Sequence, residues 1–316
     1  MKNILLQKLA SGDFVSGAEI AVSLGVSRNA VWKVVQSLRN DGFTIDSVTS
    51  KGYRISPDNN KLAPELIEYN GRIIVLDETD STNNYAKNLA SQGAEHGTTV
   101  LAETQSSGKG RIGRTFVSPK EKGLYMSVIL RPDFSLEFSP LITSAVSVAV
   151  AESIEQLADC HTQIKWVNDI YINNKKICGI LTEASLGLEY NSLDYAVVGI
   201  GINVLSHDFG ELNSTVTSIQ QETGKKINRN KLCETVLENI DLHLSGITRK
   251  AHLNEYRRRE MLTGNLISAN IGNEKIIGKA LGIDDNANLI VQTDSGIKTL
   301  VSGEANLIRI REESDE

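Results

Sequence analysis

"ETQSSGKGRIGRTF", Glu103 to Phe116, places three glycines (Gly108, Gly110, Gly113) among three cations (Lys109, Arg111, Arg114) in a chain of 316 residues whose formal net charge is −6. Glycine loses more conformational entropy on folding than any other residue, so such a run needs a compensating partner, and the cations make that partner an anion. Which fold carries the loop depends on the kind of anion loop it is. Gly108-Lys109-Gly110 is followed by Arg111 and not by the Ser or Thr that opens the helix of a phosphate-binding P-loop. The glycines have the G-x-G-x-x-G spacing of a dinucleotide fold, but Lys109, Arg111 and Ile112 fill the intervening positions and would put charge into the turn. Neither fold is indicated by the loop itself, so its neighbours decide.

Those neighbours alternate between strand and helix patterns. RIIVLDET reads as a strand, NYAKNLASQG as a helix ending at Gly93, TTVLAET and GLYMSVIL as strands, and SPLITSAVSVAVAESIEQLA as a long helix. IKWVNDIYINNKKICGILTEAS reads as two strands joined at Asn173-Asn174. YAVVGIGINV, Tyr195 to Val204, is a continuous apolar run whose Gly199 and Gly201 fit a central strand with a neighbour or ligand close to its backbone. KLCETVLENIDLHLSGI and the segment through Arg257-Arg258-Arg259 read as closing helices, giving a mixed sheet with helices packed on it and an α+β class.

The flanks differ in kind. Ser16 to Phe43 has apolar residues at helical spacing on both sides of Leu24-Gly25-Val26-Ser27, with Ser27 placed to cap the second helix. The sequel TIDSVTSKGYRIS alternates like two strands about Ser50-Lys51-Gly52, which makes a winged helix-turn-helix. Its second helix would bring Ser27, Arg28, Asn29, Trp32 and Lys33 to DNA, with Lys51 on the wing; Arg28 and Asn29 suit base edges, Lys33 and Lys51 phosphates, and Trp32 fits DNA or the core equally well. Residues 1–60 carry seven Lys/Arg against five Asp/Glu, a mildly basic end of an acidic chain. Pro57 to Lys61 reads as a linker. After Gly264 only short strands follow, with turn signals at Gly272-Asn273, Asp284-Asp285-Asn286 and Asp294-Ser295-Gly296, which predicts a small β barrel; REESDE reads as a frayed acidic tail. The expected units are 1–60, 66–264 and 265–316.

Composition, 40% hydrophobic and 23% charged, is that of a globular protein. No apolar run approaches the roughly 18 residues of a spanning helix, and the start lacks the features of a signal peptide, so a cytoplasmic protein without a membrane partner is expected. Cys160, Cys178 and Cys233 are odd in number and widely spaced, which points to free thiols and to no metal site.

Four stretches carry candidate chemistry: Asp80-Ser81-Thr82-Asn83-Asn84, Gln105 to Arg114, Lys165-Trp166-Val167-Asn168-Asp169 with Lys175-Lys176, and Gly199-Ile200-Gly201-Ile202-Asn203. The first suits a helix cap as well as a small polar ligand. Lys165 and Asp169 suit a surface ion pair about a core tryptophan as well as a site. Taken together the four resemble the biotin-protein ligases, in the bifunctional form that is also the biotin operon repressor. G-K-G-R-I-G-R is similar to that family's G-R-G-R-x-G-R and K-W-V-N-D to its K-W-P-N-D; D-S-T-N and G-I-G-I-N fall in the same order, and the resemblance covers essentially the whole chain.

The resemblance implies a catalytic domain like those of class II synthetases, a C-terminal SH3-like barrel, and two half-reactions. Biotin and ATP, with Mg2+, form biotinyl-5′-adenylate and pyrophosphate; the adenylate then acylates a lysine of the biotin carboxyl carrier protein of acetyl-CoA carboxylase or another biotin-dependent carboxylase. Ser81, Thr82, Asn83 and Gln105 would bind biotin, with Lys109, Gly110, Arg111 and Lys176 at its carboxylate and the phosphates. Lys109, Arg111 and Lys176 would be catalytic, and Arg111, Asn168, Asp169 and Asn203 would lie by the nucleotide. The adenylate would act as corepressor, ordering the loop so that a homodimer forms on operator DNA. Two positions depart from the family pattern: Lys109 stands where Arg is usual and cannot make a bidentate fork, implying weaker adenylate retention, and Val167 replaces Pro, loosening the backbone before Asn168. Two other readings stay open, a ligand sensor without turnover and a ligase for lipoate or octanoate; the hydroxyl and amide set at Ser81 to Asn83 suits a ureido ring better than an apolar chain end.

Overall fold

The computed structural model describes residues 1–187, 193–272 and 274–308; Asn273 of the first barrel turn and the tail at 311–316 lie outside the described residues. The N-terminal unit holds α1 (Lys2–Leu9), α2 (Gly17–Leu24), α3 (Arg28–Asn40) and the hairpin β1 (Ile45–Val48) with β2 (Gly52–Ile55). Ser16 and Ser27 cap α2 and α3, their hydroxyls accepting from Glu19 N at 3.0 Å and Ala30 N at 3.2 Å. Gly25 ends α2 in the left-handed conformation the turn requires. Leu5, Leu6 and Leu9 of α1 close a core with Ile20, Val31, Val35 and Leu38, so α1 is a third helix that the sequence reading passed over.

The central unit follows as β3 (Ile73–Leu76), α4 (Thr82–Ser91), β4 (Thr99–Ala102), β5 (Gly123–Leu130), α5 (Leu141–Ala158), β6 (Gln163–Lys165), β7 (Asp169–Ile172), β8 (Lys175–Leu186), β9 (Leu193–Asn203), α6 (Ile219–Thr223), α7 (Arg229–Ser245) and α8 (Leu253–Arg259). Its seven strands run β3-β4-β5-β9-β8-β7-β6, parallel between β3 and β4 and antiparallel elsewhere. Where two strands were expected from Ile164 onward there are three, because Trp166 to Asn168 turn the chain without glycine or proline to mark it. α5 is 18 residues long with a mean hydropathy of 1.3, so one segment does meet the length and composition of a spanning helix. It is a core helix, with residues such as Val146, Val148, Val150 and Ile154 fully buried against the sheet and α7. α4 covers the other sheet face, packing Ala86 and Ala90 on Val100, Ile129 and Val197.

Among the described residues five antiparallel strands follow, β10 (Leu266–Ile271), β11 (Glu274–Ile283), β12 (Leu289–Thr293), β13 (Gly296–Leu300) and β14 (Glu304–Leu307), in the order β13-β12-β11-β10-β14. Their interior, including Ile267, Ala280, Leu289 and Val291, is continuous with the central core.

The expected linker is strapped down. Arg229, at the start of α7, donates to Asn60 Oδ1 at 2.9 Å, to the Asn60 carbonyl, to Gly123 O at 2.9 Å and to Glu103 Oε2 at 2.7 Å. The other Glu103 oxygen accepts from Leu62 N at 3.1 Å, and Asn230 holds Ala63 N at 3.1 Å and Lys61 O at 2.9 Å. Both side chains of the Arg229–Glu103 pair are 0% exposed, so deleting Arg229 leaves a buried carboxylate with only the more distant Lys61 ammonium, at 3.8 Å, to offset its charge. Arg229→Ala is expected to destabilise the chain by about 3 to 5 kcal/mol, read from urea denaturation, with Glu103→Gln in the same chain recovering part of the loss.

Candidate active site

The glycine-rich segment leaves β4 and doubles back as a short hairpin, with Gly110 N donating to Arg114 O at 2.7 Å and Phe116 N to Gly108 O at 2.8 Å. Its tip turns through Ile112 and Gly113 at φ 54° and 71°. A Cβ on Gly108 would come within 2.4 Å of Phe116 O, so this glycine is required by the close approach of the two arms. The loop thus has part of its order built in before any ligand arrives.

At the root of the hairpin, Gln105 reaches under α4. Its Oε1 accepts from Thr82 N at 2.8 Å and lies 3.1 Å from Thr82 Oγ1, while its Nε2 donates to Ser118 Oγ at 2.8 Å. Ser81 occupies the N-cap position of α4 but its hydroxyl makes no cap bond, so the cap comes from Gln105 and the Ser81 hydroxyl is left for other use. Asn84 Oδ1 accepts from Lys109 Nζ at 2.7 Å, and its Nδ2 donates to Asp80 Oδ2 at 2.5 Å, tying the cationic loop to the helix start. Gly199 and Gly201 make room for this assembly: a Cβ at Gly199 would lie 2.1 Å from Asn83 Oδ1, and one at Gly201 would lie 2.7 Å from the Phe116 ring.

The third stretch closes the other side. Trp166 is a core residue whose Nε1 donates to Ala287 O at 3.0 Å. Asp169 pairs with Lys176 at 2.7 Å and not with Lys165, whose Nζ donates to Asn306 Oδ1 at 2.5 Å. Burial holds the Lys165 ammonium below the usual lysine range. The peptide before Val167 is cis, and Asn168 is well fixed despite the absent proline: Nδ2 donates to Ile180 O at 2.6 Å, and Oδ1 accepts from Arg111 Nη1 at 3.2 Å.

The four stretches therefore meet at one cleft over β5, β8 and β9, in two joined chambers. The inner, of about 130 Å³, is lined by Ser81, Thr82, Asn83, Gln105, Lys109, Gly110, Arg111, Asn168, Asp169 and Lys176. The outer, of about 510 Å³, shares Asp169 and Lys176 and adds Asn203 with an apolar wall of Phe209, Leu212 and Val216. Asn203 is buried there with Nδ2 donating to Thr217 O at 3.1 Å, so it shapes the wall. Cations gather where the chambers join, and among the described lining residues Asp169 and Glu304 are the acids that oppose them. Four cleft residues had been given no role: Arg114 and Lys165 lie within the candidate stretches, whereas Phe116 and Glu304 left no signal of their own. The candidate DNA residues are elsewhere, with Ser27, Arg28, Asn29, Trp32 and Lys33 exposed along the start of α3 and Lys51 exposed on the wing. Trp32 is 50% exposed and is not a core residue.

A winged helix joined to a sheet-borne cleft that pairs a polar inner chamber with a cationic gate and a wider outer chamber defines a DNA-binding ligase class. Family models agree with this division: HTH domain over residues 2–54, Biotin/lipoate A/B protein ligase family over 75–203, and Biotin protein ligase C terminal domain over 266–307. The Bifunctional ligase/repressor BirA of Bacillus spizizenii is 37% identical over 94% of this chain and 95% of its own length, and that of Escherichia coli is 29% identical over 96% of each. A solved structure of biotin protein ligase from Aquifex aeolicus in complex with biotin and ATP matches with a TM-score of 0.64 and 30% identity, covering 76% of this chain and 99% of that one. This chain belongs to the family of bifunctional biotin ligase/repressors.

Gly199→Ala would force Asn83 out of its place on the sheet. A loss of about 1 to 3 kcal/mol in folding stability is expected from denaturant titration.

Proposed function

We propose that the chain is an ATP-dependent biotin-protein ligase of the cytoplasm that also represses biotin synthesis genes, with biotinyl-5′-adenylate as both intermediate and corepressor. The observation that carries this reading is the cationic gate between a small hydroxyl- and amide-lined chamber and a larger apolar-walled one. Biotin occupies the inner chamber, its ureido ring against Ser81, Thr82, Asn83 and Gln105. Its carboxylate faces Lys109, Gly110, Arg111 and Lys176, and the nucleotide lies outward by Arg111, Asn168, Asp169 and Asn203.

In the first step a carboxylate oxygen of biotin attacks the α-phosphorus of ATP, a P–O bond forms, and pyrophosphate leaves with the electrons of the bond that breaks. Two anions must approach, so charge placed in advance by Lys109, Arg111 and Lys176 lowers the barrier. Charge-assisted hydrogen bonds of roughly 1.5 to 3 kcal/mol each offset the ordering of a loop that is already a hairpin. Among the described residues no three or more His, Cys, Asp or Glu side chains form a metal cluster. Asp169, a carboxylate inside the cleft, suits a Mg2+ ion carried in on the nucleotide phosphates, where it would neutralise charge. In the second step the amine of a carrier lysine attacks the acyl carbon, an amide bond forms, AMP departs, and the amine releases a proton. The carrier is the biotin carboxyl carrier protein of acetyl-CoA carboxylase or of another biotin-dependent carboxylase.

Units 1–60, 66–264 and 265–316 divide the work. The first contacts operator DNA through the start of α3 and Lys51; bound adenylate tightens the 105–118 loop, and the loop surface forms a homodimer that spaces two α3 helices on operator half-sites. A DNA module that binds weakly as one copy favours such coupling.

ATP–pyrophosphate exchange by the purified chain is expected with biotin and not with lipoate, octanoate or no added acid; exchange supported by either of those acids moves the substrate, and none with any acid leaves a pure sensor. Sedimentation equilibrium is expected to shift from monomer toward dimer when biotin and ATP are both present, and an unchanged equilibrium contradicts the corepressor role.

A further inference from the structure

Glu183 lies on β8 beneath α4, outside the residues to which the sequence assigns a role. Its carboxylate accepts from Asn83 Nδ2 at 2.9 Å and from Lys87 Nζ at 2.6 Å, and its side chain is 31% exposed. Burial pushes the carboxyl up, but hydrogen bonds from Lys87 and Asn83 and the charges of Lys87 and Lys109 outweigh it and hold the group below the ordinary glutamate value. Glu183 is therefore ionised near neutral pH and can only accept.

Glu183 at 2.9 Å and, more weakly, the Leu181 carbonyl at 3.4 Å are both acceptors for the Asn83 amide nitrogen, so the amide has a single favourable orientation, NH2 toward Glu183 and Oδ1 toward Ser127. Ser127 Oγ, fully buried, lies 2.6 Å from that Oδ1 and 2.8 Å from Thr82 Oγ1. A hydroxyl has one hydrogen, and an amide oxygen has none to give, so leaving Oδ1 satisfied commits the Ser127 hydrogen to Asn83. Thr82 then directs its own hydrogen into the protein, to Ser127 Oγ or to Gln105 Oε1 at 3.1 Å. Whichever it takes, the Thr82 oxygen presents lone pairs to the inner chamber. Gly199 is part of the same device, since any side chain there would displace the Asn83 amide.

We infer that Glu183 is a positioning residue that sets the hydrogen-bond polarity of the inner chamber, holding Thr82 as an acceptor through Asn83 and Ser127 and so selecting a head group that carries ring N–H donors. This rests on the reading of the inner chamber as the biotin-ring site. Lys87 neutralises the carboxylate from the solvent side without entering the relay.

The test compares wild type, Glu183→Gln, Ser127→Ala and Lys87→Met in biotin-dependent ATP–pyrophosphate exchange, with two lactam analogues of biotin in which a methylene replaces one or the other ring N–H. Glu183→Gln keeps the shape but can turn an NH2 toward Asn83 and reverse the relay. It is expected to raise the KM for biotin about tenfold with kcat within about twofold, and to cut the preference for biotin over one lactam by about tenfold. Ser127→Ala is expected to narrow the same preference, which keeps the test open if Glu183→Gln folds poorly. Lys87→Met is expected to stay within about twofold of wild type in both readings. An unchanged preference in Glu183→Gln and Ser127→Ala, or an equal loss in Lys87→Met, overturns the positioning role while biotin-dependent exchange by wild type upholds the site. Absence of that exchange in wild type overturns the site reading and the positioning role together.

Discussion

The buried pair of Glu103 and Arg229 is the constraint on which the rest of the arrangement hangs. Four chain segments converge on it: the end of β4, the start of α7, the first residue of β5 and the stretch Asn60 to Leu62 that leads out of the winged helix. Two charges taken wholly from water are a costly way to join segments, and the cost is met only when nearly every donor and acceptor is satisfied, as it is here by backbone carbonyls and amides. Because Glu103 stands two residues before Gln105, the pair also fixes where the glycine-rich hairpin begins. The position of the DNA-binding unit and the root of the ligand loop are thus set by the same guanidinium.

From that root outward the site is governed by where hydrogen bonds are already used. Gln105 caps α4, which frees the Ser81 hydroxyl; Asn84 anchors Lys109, which keeps a flexible cation at the gate; Asn168 is held by Ile180 and in turn receives Arg111. Each long side chain in the cleft has a fixed partner near its tip, so less rotamer entropy remains to be lost when an anion binds. The glycines of β9 serve the same end by absence, since room on the sheet is what lets Asn83 and Phe116 lie flat against it.

Much of this was legible in the sequence, and the parts that were not share a cause. The alternation of apolar residues carried the strands, the capping serine of α3, Ser27, was visible, and the four motif stretches that meet at the cleft could be named before any geometry. The turn at Trp166 to Asn168 was hidden because no glycine or proline marks it. α1 was read only for what it lacked as a leader, although Leu5, Leu6 and Leu9 have helical spacing. Arg229, Glu183 and Glu304 carry no local pattern at all: an isolated charged residue on a helix or strand reads as solvated surface, and only the fold brings its partner to it. Of the two readings open for Lys165 and Asp169, the surface ion pair does not form for the same reason, since each found a nearer partner from another strand.

The C-terminal strands belong to the cleft and not merely to the end of the chain. Arg114 of the hairpin makes a bidentate contact with Glu304 of β14 at 3.0 and 2.5 Å, Lys165 reaches Asn306, and Trp166 donates into the turn before β12. Arg114 is 67% exposed, so its ion pair contributes little to folding, yet a planar fork fixes direction even where it adds little energy. The hairpin is consequently held from two sides, by Gln105 at its root and by Glu304 beyond its tip, over a chamber that opens between them. A ligand phosphate arriving beside Arg114 would meet Glu304 on the same guanidinium, so the third unit of the chain sets part of the charge that an anion entering the outer chamber encounters.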